Sequence, residues 1–63
     1  MDDFGREVVG RLAAMERSQG WLARRVRRSP SAISHYLKGR RPWPVNVKLM
    51  VIAILDIHEE RAA

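Results

Sequence analysis

The sequence predicts an all-α fold, a compact bundle of four helices, or five, formed as one domain over residues 1–63. Three observations point that way. Apolar residues recur at three- and four-residue intervals along most of the 63-residue chain. Asp, Ser, Pro and Gly stand where helices should start and stop. Cysteine is absent, so neither a disulfide nor a thiolate zinc site can staple so short a chain. Below roughly 70–80 residues that leaves tight helix packing or self-association as the stabilising device.

The first helix is expected from about residue 3 to 17. Phe4, Val8, Leu12 and Met15 fall at helical spacing, with Ala13 beside them and Arg or Glu between. Asp2 or Asp3 serves as N-cap, its carboxylate facing the positive end of the helix. Ser18 caps a second helix whose inner stripe is Leu22, Ala23 and Val26. Ser29-Pro30 then restarts the chain, because Ser accepts orphan N–H bonds and Pro suits the first helical position. The third helix runs to about Lys38. Gly39 follows as the residue able to take the left-handed conformation. Ile33, Tyr36 and Leu37 share its inner face; Ser31, Ser34, His35 and Lys38 lie on the other. Arg40-Arg41-Pro42-Trp43-Pro44 is a stiff loop, since each proline restricts itself and the residue before it, and Trp43 should cover the end of the core.

The last segment, Val45 to His58, is rich in β-branched residues and would suit a strand. No second alternating run follows to pair with it, and its length and Pro44 start favour a helix. Its apolar residues cover more than one helical face. That surplus predicts a homodimer interface at Val51, Ile54, Leu55 and Ile57, which would also supply the missing staple.

Charge is concentrated. Residues 21–41 carry Arg24, Arg25, Arg27, Arg28, Lys38, Arg40 and Arg41 with no acid, and the flank on either side comes to −1, so the whole net charge of +5 stems from the middle of the chain. A solvated helix face usually interleaves both signs three or four residues apart. A basic block between balanced flanks is instead the footprint of a polyanion-binding surface. The longest uncharged apolar run, Leu49 to Leu55, is far short of a membrane span, the acidic start is unlike a secretory leader, and the lack of Cys suits a reducing cytoplasm, that of a bacterial host cell. An enzyme is not expected, because a substrate cleft would consume so small a core. No Ser-His-Asp set is present, since His35 adjoins Ser34 and points elsewhere. Asp56, His58, Glu59 and Glu60 read as a polar helix end and not as metal ligands, and no cofactor or small-molecule substrate is expected.

The stretch from Gln19 to Gly39 resembles the helix-turn-helix unit of the phage repressor and Cro family of DNA-binding proteins. The resemblance rests on Gln19 opening the second helix, Ala23 four residues later and Val26 at its end. Ile33 and Ser34 in the third helix and Gly39 after it complete it, over about a third of the chain. Small Ala23 suits a close helix crossing, and Ile33 is the apolar plug beneath it. The resemblance implies a helix-turn-helix unit at 19–38 with its second helix in the major groove of double-stranded DNA. Pro30, Ser31, Ser34 and His35 are then the base-reading positions. Gln19 and Lys38 match positions that hold phosphate in the family, and Arg24, Arg27, Arg28, Arg40 and Arg41 are expected from their charge to be phosphate ligands as a set. Arg27 departs from the family, which usually has Gly in that turn, and Pro30 replaces an amide that reads a base in some relatives. The expectation is a Cro-like phage repressor, binding a palindromic operator as a homodimer and blocking transcription. The rival is an antitoxin-like module whose apolar last helix binds a different protein; a membrane-surface peptide is argued against by the caps and prolines.

Overall fold

The structure, a computed structural model, describes residues 2–57. Among these it is all-α, with four helices: α1 (Asp3–Ala14), α2 (Gln19–Val26), α3 (Pro30–Leu37) and α4 (Val45–Leu55). The starts follow the side-chain chemistry. Asp2 caps α1, its carboxylate accepting the Gly5 N–H at 2.8 Å. Ser18 caps α2 through the Trp21 N–H at 3.0 Å, and Ser29 caps α3 through the Ala32 N–H at 3.1 Å, with Pro30 at the first position. α4 has no side-chain cap; Pro44 precedes it and its carbonyl accepts the Lys48 N–H.

The ends share one device. Glu16, Arg27, Gly39 and Asp56, which follow α1, α2, α3 and α4, all have positive φ. After each, the next N–H reaches back five residues: Arg17 to Leu12, Arg28 to Ala23, Arg40 to His35 and Ile57 to Ile52. This satisfies carbonyls that a helix end leaves orphaned. It also stops α1 at Ala14, three residues before the expected end at 17. Glu16 carries none of the glycine signal that would mark such a stop.

The core joins all four helices. α2 packs on α3 and α4, and α1 packs on the same two. Val8, Leu12, Leu22, Ala23, Val26, Ile33, Leu37, Val47, Val51 and Leu55 interlock in it, with Phe4 and Tyr36 at one end. Trp43 closes that end: its ring meets Phe4 edge-on and Tyr36 at a tilt, both at 5.1 Å between centroids. The Lys48 ammonium lies 4.9 Å from the Phe4 centroid, within cation–π range.

The proposed dimer residues are corrected by this packing. Val51 and Leu55 are completely buried and Ile57 nearly so, all within the monomer core, while Ile54 is partly buried against it. The inward phase of α4 is Val47, Val51 and Leu55, spaced four apart. Its exposed apolar residues are Val45 at 74%, Leu49 at 60% and Met50 at 37%. α4 has no polar face to reveal which side turns inward. His58, Glu59 and Glu60 lie outside the described residues.

Candidate nucleic-acid interface

The α2–turn–α3 unit is built from its buried half outward. Leu22, Ala23 and Val26 turn inward from α2, and Ile33, Tyr36 and Leu37 from α3. Ala23 and Ile33 are fully buried, as a close crossing of two short helices requires. Arg27 makes the turn in the left-handed conformation, φ 60° and ψ 47°. Its N–H bonds to the Arg24 carbonyl at 3.3 Å, and the Arg28 N–H to that of Ala23 at 2.9 Å. Glycine takes this conformation without steric cost; arginine holds it at a cost of roughly 1–2 kcal/mol.

With the apolar faces used up, the remaining faces are polar. On α3, Pro30 and Ser31 are exposed, and Ser34 and His35 half-buried. Gln19 at the start of α2 is exposed, as are Arg24, Arg27, Arg28, Lys38, Arg40 and Arg41. Arg28 donates from Nη1 to the carbonyl of Arg27 at 3.2 Å, folding back over the turn. Gly39, φ 78°, and the Arg40-to-His35 bond carry the chain from α3 into the basic loop. All these candidates therefore lie on α2, α3 and the segments that flank them, and none is in the core.

The electrostatics reach beyond the segment picked out by composition. From Arg17 to Leu55 there is no acidic residue, while nine arginines and lysines fall in that stretch. Only Lys48 of the nine is on α4, against Phe4. The rest belong to α2, α3 and their borders, a run of one sign along the chain.

Arg17 lies outside the basic block read from the sequence, and Arg25, though within that block, was not among the expected phosphate ligands. Both guanidiniums lie over Trp21, at 5.2 and 5.6 Å from the ring centroid. The available signal was their spacing, four residues before and four after the tryptophan. Among the described residues no cluster of three or more His, Asp or Glu could hold a metal ion, and no helix is long and apolar enough to cross a membrane. Compared with known protein families, curated proteins and solved structures, the chain matches none, so its own residues are what any functional reading has to stand on.

Proposed function

We propose that this chain is a sequence-specific double-stranded DNA-binding regulator of transcription, of the Cro-like kind, acting as a homodimer on a two-fold symmetric operator. One observation carries the reading. The acid-free stretch from Arg17 to Leu55 puts its exposed cations on a helix–turn–helix pair whose outer faces are polar. Phosphate contacts from Gln19, Arg24, Arg27, Arg28, Lys38, Arg40 and Arg41 hold the domain on the duplex. The exposed start of α3 enters the major groove, where Ser31 and His35, with Ser34, address base edges. Pro30 offers no donor, so DNA shape shares in site selection. Bound at a promoter, the dimer represses by occlusion.

The two-fold partner contact belongs to the exposed stripe of α4, Val45, Leu49 and Met50, in place of the buried residues. The same stripe favours the second reading, a protein-interaction module whose α4 docks on a different protein. Duplex affinity measured across a salt series, together with mass in solution with and without DNA, separates the two. If about five phosphates are neutralised per subunit, the log–log slope is near −4 to −5. A slope shallower than about −2 overturns the DNA reading.

A further inference from the structure

We propose that Arg17, Trp21 and Arg25 form a phosphate clamp, in which one indole holds two guanidiniums ready for the sugar-phosphate backbone of duplex DNA; the inference rests on the DNA-binding reading above. The platform is fixed before the cations are considered. The Trp21 main-chain N–H donates to the Ser18 hydroxyl at 3.0 Å, fixing its backbone, and its ring packs against the core. Arg25 follows one helical turn later. Arg17 precedes the Ser18 cap, and its backbone is pinned by the N–H bond to Leu12 at 2.9 Å. Both side chains are exposed.

Their heads lie 5.2 and 5.6 Å from the same centroid, inside the range of about 6 Å at which a ring attracts a cation. The two guanidinium carbons are thus no more than about 11 Å apart. Phosphates on one strand rise about 3.4 Å along the axis at each step but also turn about it, so neighbours are farther apart in space than that rise, and the span reaches two adjacent phosphates. A guanidinium presents a planar fork that matches phosphate oxygens. An arginine already resting on a ring loses less freedom on binding than one moving freely in water. Holding two like charges together is unfavourable, and a bound anion relieves it. The clamp also adjoins a phosphate candidate reached independently, because Arg17 and Gln19 border the same open hollow beside Val9, Leu12 and Ala13. With guanidiniums over it, Trp21 acts as a positioning residue and not as a surface for stacking bases.

The test is the salt dependence of binding to a random 20-base-pair duplex, for wild type, Arg17→Gln, Arg25→Gln, Trp21→Leu and Trp21→Phe, with Arg6→Gln on exposed α1 as the charge control. Arg17→Gln and Arg25→Gln should each make the log–log slope shallower by about 1, with Arg6→Gln leaving it unchanged. Trp21→Leu should keep the wild-type slope, because both charges remain, yet lose about three- to tenfold in affinity, and Trp21→Phe should recover most of that loss. If wild type binds with a steep slope while Arg17→Gln and Arg25→Gln behave like Arg6→Gln, the clamp is wrong and the DNA reading stands. Unchanged affinity in folded Trp21→Leu removes the platform. Should Trp21→Leu fail to fold, the exposed arginine variants decide the clamp and Trp21→Phe the platform. A wild type without salt-sensitive duplex binding overturns the function itself, and the clamp with it.

Discussion

Arg11 and Leu55 stand 44 residues apart in sequence, yet the Nε–H of Arg11 donates to the main-chain carbonyl of Leu55 at 2.9 Å. Leu55 ends α4, where carbonyls lack intrahelical partners and the helix dipole favours positive charge. The last turn of α4 contains no basic residue of its own. α1 therefore supplies the cation that α4 lacks, and the first and last helices are tied by a charge-assisted bond as well as by apolar packing.

Arg11→Gln should lower stability by about 1.5–3 kcal/mol, the usual worth of a hydrogen bond to a charged group. In a domain this small each kcal/mol is worth roughly 4–8 °C of melting temperature. Thermal melting followed by circular dichroism checks it, and DNA affinity should be untouched.

Arg27→Gly separates shape from charge at the turn. Relief of the left-handed strain, offset by the extra freedom of glycine in the unfolded chain, should leave a net gain of about 0.5–1 kcal/mol. Duplex binding should weaken at the same time, with the salt slope shallower by about 1. A variant less stable than wild type would show that the Arg27 side chain contributes to the fold beyond its backbone shape.

Ala23→Leu should cost roughly 1–3 kcal/mol. Ala23 is fully buried in the cluster that includes Val26 and Ile33, and three added carbons must displace its neighbours. An unchanged urea midpoint would contradict the close crossing of α2 and α3.

Charge on α4 should sort its two faces. Leu55→Glu and Ile57→Glu place an unpaired carboxylate in the monomer core, at several kcal/mol, and should unfold the domain. Leu49→Glu should leave a folded monomer that binds DNA weakly and no longer prefers two half-sites about 10 base pairs apart. If folded Leu49→Glu retains that preference, the partner contact lies elsewhere.

Most helix starts were legible because they are local chemistry. Asp2, Ser18 and Ser29 each cap the helix that follows through a side-chain bond three residues away, and such pairs are written in the sequence. Gly39 marked the end of α3 for the same reason. The end of α1 was hidden because Glu16 adopts a positive φ without any residue preference announcing it. α4 was legible as a helix but not in its orientation, since an apolar segment without a polar side has no phase to read. Val51, Leu55 and Ile57 looked like surplus for that reason, and only the packing of α4 on α1 and α2 assigns them to the core. In the candidate interface, the basic residues were found by composition; the four-residue spacing of Arg17 and Arg25 about Trp21 was also in the sequence, but Arg17 lies across the Ser18 cap from α2, and the structure is what brings its guanidinium to the ring.

Three of the four left-handed positions that end the helices are filled by residues with side chains, Glu16, Arg27 and Asp56. At about 1 kcal/mol or more each, the combined strain is comparable to a good part of the 5–15 kcal/mol by which domains are stable at all. That strain should make the energy well of the folded chain shallower and raise the fraction of time it is open to a protease. Anything that binds only the folded form reverses this: at a hundred times its Kd, a ligand adds about 2.7 kcal/mol. The cellular lifetime of the molecule should therefore depend on occupancy, with bound copies persisting and unengaged copies cleared.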